Sequence, residues 1–236
     1  MTKVFINPGH SLEGKPDPGC SYNGIQEALI CETIAGALAY NLKKNDIDVE
    51  VYQQCDMSKT SNEQLNKVPE VANKSNADLF ISIHMNGFSD TSAKGTETWY
   101  HKNSTGGKKL AELINAKLTR PFKNYTFKDR GAKEDTRNLL VLRATRMPAV
   151  LTEICFISNV NDANFIKNNV AAVSERLCEA ICEYFGKTVK ENTKKLEIRM
   201  EHQEEDKYDL YINGEVKLIH NRFQTCIDWL SKHYGV

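Results

Sequence analysis

Asp78-Leu79-Phe80-Ile81-Ser82-Ile83-His84 is the stretch that decides the fold. Its apolar run has almost no alternating polar residues, so it reads as a strand buried on both faces, as in a parallel sheet. Outward from it, strand-like and helix-like segments alternate. Lys3 to Asn7 is a short β-rich run stopped by Pro8-Gly9. Ile25 to Lys44 carries Ala28, Leu29, Ile34, Ala35, Leu38 and Leu42 at i, i+3/i+4 spacing, which predicts a helix closed by Asn45-Asp46. Ile47 to Tyr52 is β-branched and strand-like. Ser61 is expected to cap a helix running toward Ser75, with Pro69 kinking or shortening it. Gly95 to His101 reads as a strand and Gly107 to Thr119 as a helix. Leu139 to Leu142 and Ala149 to Ile154 read as two strands separated by a turn at Met147-Pro148. Helices are expected from about Asn161 and from Val170 to Phe185, before Gly186 at a helix C-cap. The pattern predicts an α/β fold: a mixed, mostly parallel sheet flanked by helices on both faces.

Composition shifts after residue 186. Lys187 to Lys195 is polar and lysine-rich and reads as a linker. Leu196 to Met200, Asp209 to Ile212 and Glu215 to Ile219 look like strands, with Asn213-Gly214 a hairpin turn and Phe223 to Tyr234 a helix. The expected organisation is a domain over 1–186, a linker over 187–195 and a small α+β C-terminal domain over 196–236. So small a unit is near the lower limit for folding alone, so it is expected to pack on the first domain or to mediate a homo-oligomer.

The 236 residues are 40% apolar and 26% charged, which excludes wholesale disorder. Thirty-one basic residues balance thirty-one acidic ones, which argues against a global grip on nucleic acid or an anionic membrane. A mean hydropathy of −0.51, with no apolar run approaching ~20 residues, speaks against membrane insertion. The start, Met1-Thr2-Lys3-Val4-Phe5-Ile6-Asn7-Pro8, lacks the apolar stretch of a signal peptide, so the chain is expected to be made in the cytoplasm. Seven cysteines and no CxxC predict free thiols. Cys178 and Cys182 could form half a metal site. With no second pair, they read instead as small buried hydrophobes on a helix.

Polar residues fall where chemistry is expected. His10 follows a strand and a Pro-Gly turn, His84 ends the buried strand, and Glu153 lies inside Ala149-Val150-Leu151-Thr152-Glu153-Ile154. All three sit toward the C-terminal ends of strands, where open α/β sheets collect their sites. A carboxylate buried bare among Val, Leu and Ile would cost several kcal/mol, so Glu153 needs a metal, a partner or a function.

Four blocks over about residues 1 to 186 resemble the zinc-dependent N-acetylmuramoyl-L-alanine amidases of the amidase-3 type, found in cell-wall remodelling enzymes and phage endolysins. The first is Val4-Phe5-Ile6-Asn7-Pro8-Gly9-His10 with Asp17-Pro18-Gly19, similar to an opening DPGH with a later D-x-G. The second is Gly24-Ile25-Gln26-Glu27, similar to G-x-x-E. The third is Leu79-Phe80-Ile81-Ser82-Ile83-His84-Met85-Asn86, similar to F-I-S-I-H-x-N. The fourth runs from Arg130-Gly131 through Leu139-Leu140-Val141-Leu142 to Pro148-Ala149-Val150-Leu151-Thr152-Glu153-Ile154-Cys155-Phe156-Ile157-Ser158-Asn159.

By position the resemblance implies that His10, Glu27 and His84 are zinc ligands and Glu153 the catalytic glutamate. Three His/Glu ligands suit a catalytic zinc ion, which keeps one position open. Glu27 in the first turn of its helix would be favoured by the helix dipole. Departures from the family are Asn7 for the usual Asp, Ser11-Leu12 for a usual glycine pair, and Cys155 where glycine is common. If the usual Asp orients the histidine, Asn7 still offers a carbonyl but no charge. Asn86 could bind substrate or serve a turn. Arg130 could meet a carboxylate of the stem peptide or form a surface ion pair. Glu97 could touch the metal site or be a polar strand position. His101, His202, His220 and His233 lack partners at ligand spacing.

The implied activity is hydrolysis of the amide between the lactyl group of N-acetylmuramic acid and L-alanine, with peptidoglycan as the partner. The residues alone justify metal-assisted amide hydrolysis. A zinc peptidase or carboxypeptidase acting on stem peptides is an alternative, and a non-catalytic wall-binding protein is another. Without a signal peptide the enzyme would reach the wall after release, by a holin if it is a phage endolysin. Residues 196–236 would then serve cell-wall targeting or oligomerisation.

Overall fold

A computed structural model describes residues 2–11, 15–54 and 58–190, together with the backbone of three strands at 198–202, 208–212 and 215–221. In chain order the elements are β1 (Lys3–Pro8), β2 (Ser21–Tyr22), β3 (Ile25–Gln26), α1 (Glu27–Lys44), β4 (Asp48–Val51), α2 (Ser61–Lys74) and β5 (Leu79–Asn86). Then follow β6 (Thr96–Tyr100), α3 (Thr105–Leu118), β7 (Asp129–Glu134), α4 (Leu140–Arg143), β8 (Ala149–Phe156), α5 (Val160–Asn168) and α6 (Val170–Tyr184). The last strands are β9 (Ile198–His202), β10 (Tyr208–Ile212) and β11 (Glu215–Asn221).

Six strands form one sheet in the order β4-β1-β5-β8-β6-β7. β4, β1, β5 and β8 are mutually parallel, β6 runs antiparallel to β8, and β7 is parallel to β6. The expected mixed, mostly parallel sheet is therefore present. Strand periodicity divides the core in two. Val4, Ile6, Leu79, Ile81, Ile83, Val150 and Ile154 face a layer built from α1, α3, α5 and α6. Phe5, Phe80, Ala149 and Leu151 face Val68 and Ala72 of α2 and Val141 and Leu142 of α4. Both faces are covered, which is why β5 reads as an unbroken apolar run.

Asp162, in the first turn of α5, is fully buried. Its carboxylate accepts the backbone N–H groups of Gly95 and Phe156, each at 2.9 Å, and the Tyr125 hydroxyl. One side chain thus ties the start of β6 to the end of β8.

Several local expectations are corrected. Leu139 to Leu142, expected as a strand, folds as the short helix α4. The Asp135 carboxylate accepts the backbone N–H groups of Arg137 and Leu139, turning the chain there. So short an apolar run fits either period, and packing against α2 decides. The cap of α2 is Thr60 rather than Ser61: its hydroxyl accepts the Glu63 N–H while the Glu63 carboxylate accepts the Thr60 N–H, a capping box. Pro69 does not shorten α2, which runs on to Lys74. Ile25 and Gln26 pair with β2 as a small hairpin before α1 begins. β7 was not expected, because Asp-Arg-Gly-Ala-Lys-Glu carries the charge typical of a sheet edge rather than a core strand.

The three late strands pair antiparallel in the order β11-β10-β9. The expected turn at Asn213-Gly214 and helix over Phe223 to Tyr234 lie outside the described residues. Cys20, Cys31, Cys155, Cys178 and Cys182 are free thiols, as expected, and Cys178 and Cys182 are buried 3.9 Å apart. Among the described residues, no helix is long and apolar enough to cross a membrane.

Candidate metal centre

The site lies at the C-terminal ends of β1, β5 and β8. The Pro8-Gly9 turn delivers His10 with φ of 65°. This left-handed conformation costs a non-glycine residue roughly 1 kcal/mol or more, and such strain is common at functional positions. Gly9 permits the approach: a Cβ there would lie 2.4 Å from the His84 ring. Gly19, with φ of +68°, is also packed tightly, since its Cβ would lie 2.6 Å from His10 and 2.7 Å from Glu27. Glu27 is the first residue of α1, and His84 lies on β5 beneath it.

These elements bring His10, Glu27 and His84 together. One ligand atom from each falls within 4.8 Å of the others, the one such His/Cys/Asp/Glu cluster found among the described residues. Glu27 Oε1 lies 3.0 Å from His10 Nε2 and 3.1 Å from His84 Nδ1. Two donors bound at zinc distances in a tetrahedral shell are ~3.3 Å apart, so the spacing fits one ion of that kind. Glu27 is 4% exposed and is also held by the backbone N–H groups of Met85 and Cys20, both at 3.0 Å. On the far side of His10, Nδ1 lies 3.0 Å from Asp17 Oδ2, which leaves Nε2 for the shared centre. Such a carboxylate fixes both the ring orientation and the tautomer of a ligand histidine.

Asp17, and not Asn7, thus orients the His10 ring. Asn7 Nδ2 donates to the carbonyls of Pro8 and Tyr52, and Asn7 Oδ1 accepts the Ser82 hydroxyl, so its contacts are with strand ends rather than with His10. Sequence reasoning gave Asp17 no role; the D-x-G spacing after His10 is the signal that could have found it. Cys155, where the family commonly has glycine, is fully buried with Sγ 3.9 Å from Met85 Sδ.

Electrostatics follow from the geometry. Burial alone would lower the His10 pKa, but the carboxylates of Glu27 and Asp17 outweigh it and hold the imidazole up at about 9. Burial likewise works against Glu27 ionisation, yet hydrogen bonds and charge from His10 and His84 hold its carboxyl well below the usual range. These opposing pulls describe the donors without a cation.

Glu153 is register partner of His84 on one side and of Glu97 on the other. It is 8% exposed, and its Oε2 has no hydrogen-bond partner. Burial pushes its carboxyl up to about 7; His84 and Arg137 pull it back, while Glu27 and Glu97 reinforce the rise. A buried carboxylate oxygen left open beside a metal-capable donor set can take and return a proton near neutral pH.

The remaining candidates divide. Glu97, read as a polar strand position or a site contact, is buried and receives Arg130 Nε at 2.6 Å, Lys133 Nζ at 2.7 Å and Asn86 Nδ2 at 3.2 Å. Asn86 and Arg130 therefore both converge on Glu97. Lys133 was missed because β7 was missed. His101 is partly buried beyond the opposite end of β6, where a cavity of about 360 Å³ is also lined by Ser104, Arg143 and Pro148. The side chains of His202, His220 and His233 lie outside the described residues.

Comparison with known proteins identifies the family. The N-acetylmuramoyl-L-alanine amidase family model matches residues 4–183. The chain is 37% identical over 172 residues to the N-acetylmuramoyl-L-alanine amidase CwlM of Bacillus licheniformis, covering 72% of this chain and 62% of that protein. It is 30% identical over 186 residues to the endolysin of Bacillus phage SPP1, covering 76% of this chain and 65% of that protein. It thus spans less than two thirds of either relative's length. The crystal structure of an N-acetylmuramoyl-L-alanine amidase from Clostridium difficile 630 superposes with a TM-score of 0.68 at 31% identity, over 78% of this chain and 97% of that one. Motif order, strand-end geometry and these matches over residues 4–183 place the chain in the N-acetylmuramoyl-L-alanine amidase family.

Proposed function

We propose that the chain is a zinc-dependent hydrolase that cleaves the amide between the lactyl group of N-acetylmuramic acid and the first L-alanine of peptidoglycan. The observation that carries this reading is the open, buried Oε2 of Glu153 beside the His10, Glu27 and His84 cluster. His10 Nε2, Glu27 Oε1 and His84 Nδ1 would hold the ion, with Asp17 steadying His10. When bound, zinc supplies a Lewis acid next to the scissile carbonyl and lowers the pKa of the attacking water toward ~7. Glu153 takes the proton of that water and returns it to the departing alanine nitrogen. The apolar strands around Glu153 exclude bulk water and, before any ion is bound, push its carboxyl pKa up. Asn86 and Arg130, both held on Glu97, would meet the substrate.

Peptidoglycan is the partner, reached from the cytoplasm after release, as the phage endolysin among the relatives suggests. Residues 1–186 are the catalytic unit and 187–195 a linker. Residues 196–236 are a targeting or oligomerising module, through which a homo-oligomer would form.

The test is elemental analysis of the purified protein for zinc, together with turbidity loss of purified cell walls with and without chelator. Product analysis identifies the bond cut. Stem peptide beginning with free L-alanine supports the amidase, whereas release of amino acids from an uncut muramoyl peptide would replace it by a peptidase.

A further inference from the structure

The Gly95-Thr96-Glu97-Thr98 stretch reads as ordinary strand, yet Glu97 gathers three side chains beside Glu153. Glu97 is 5% exposed, and its carboxylate gathers Asn86 from the end of β5 and Arg130 and Lys133 from β7. Because Glu97 is the register partner of Glu153, this cluster borders the reacting centre. Two cations against one carboxylate leave it with net positive charge.

Arg130 is held by Nε on Glu97 and by its Cζ 4.8 Å from the centre of the Phe156 ring. Its terminal guanidinium nitrogens make no hydrogen bond among the described residues, and the side chain is 30% exposed. A guanidinium pinned at Nε and lying over a ring keeps its remaining N–H groups in a fixed fork, the arrangement that suits a carboxylate. Lys133, lying over Trp99 as well as on Glu97, adds a second charge.

We propose that Arg130 and Lys133, positioned by Glu97, form a subsite that reads a carboxylate on the peptide portion of the substrate. The proposal rests on the amidase reading above. Adjacent strands are ~4.8 Å apart, so β7 lies ~10 Å from β8, about three residues of extended peptide. The acidic group recognised therefore belongs to one of the first residues after the scissile amide. Arg130 binds it, Lys133 reinforces the field, and Glu97 is a positioning residue that acts through both.

The experiment compares two soluble muramoyl-L-alanyl peptides that differ only in whether the second residue carries a free carboxylate or a carboxamide. The metal-loaded full chain is expected to favour the carboxylate in kcat/KM by roughly 10-fold or more, the worth of a charged hydrogen bond. Arg130→Gln is expected to bring that ratio to about 1, and Arg130→Lys to restore part of it. Glu97→Gln is expected to raise KM for the carboxylate substrate more than it lowers kcat, whereas a merely structural role would depress both substrates alike. Equal kcat/KM values for the full chain, or a ratio untouched by Arg130→Gln and Arg130→Lys, would overturn the subsite while leaving the amidase intact. Cleavage of neither peptide would overturn the amidase reading itself, and the subsite with it.

Discussion

His84 on β5 and Glu153 on β8 face each other across adjacent parallel strands as register partners. The backbones that carry a group suited to hold a cation and a carboxylate suited to move a proton are therefore set one strand spacing apart, about 4.8 Å, by the sheet ladder itself. Loop flexibility does not enter into that distance.

Glu153→Gln should lower turnover by about two to four orders of magnitude, as loss of a general base does, while the zinc content stays unchanged. Turnover on purified walls and elemental analysis of the same preparation check this. Retained turnover would remove Glu153 from the mechanism.

The same residue should shape stability in chelator-treated protein. Its pKa rises from an ordinary 4.5 to about 7 on folding, so between those values the folded state binds a proton that the unfolded state lacks. Stability therefore falls as pH rises through that window, by up to about 3 kcal/mol. Denaturant titrations at pH 4.5 and 8 should show this fall in the chelated wild type and a smaller one in Glu153→Gln.

Zinc affinity should rise with pH. His10, held up at about 9 without a cation, must give up its proton to bind one. The association constant should climb about tenfold per pH unit and level off near pH 9. A chelator-competition series that levels off near pH 6.5 instead would show that Glu27 and Asp17 do not bear on the imidazole as described.

Asp17→Ala should weaken zinc binding by about 10- to 100-fold, because His10 loses the partner that fixes its ring. It should also shift the levelling-off point in the previous experiment to lower pH. Unchanged affinity would assign Asp17 to the loop alone.

Gly19→Ala should abolish zinc binding, since the added methyl would sit 2.6 Å from His10 and 2.7 Å from Glu27. Gly186→Ala is the matched control. Its φ of +67° carries a similar backbone penalty, about 1 kcal/mol, but nothing lies within 4 Å of the new Cβ. The control should melt lower and still bind zinc.

Much of this arrangement was legible before any coordinates. β5 announced itself by an apolar run with one serine, His10, His84 and Glu153 stood out as polar residues at strand ends, and Glu27 came from the resemblance of Gly24-Ile25-Gln26-Glu27 to G-x-x-E. What escaped notice had weak local signal. β7 is written in charged residues because it is an edge, so Lys133 went unseen and Arg130 had no strand beneath it. Leu139 to Leu142 is too short to show a period, and its helical form comes from Asp135 and from packing on α2. Asn7 precedes the Pro8-Gly9 turn to His10 in sequence, but its side chain turns to Ser82 and Tyr52, whereas Asp17, farther along the chain, curls back to His10.

Asp162 gives the architecture a hidden dependence. Lying wholly inside, it clasps the backbone where the chain enters β6 and where it leaves β8, the two segments that present Glu97 and Glu153. Losing that clasp would let the two carboxylates drift apart with every reacting group still present. A screen for inactive variants should therefore score this remote aspartate alongside the residues that meet the substrate.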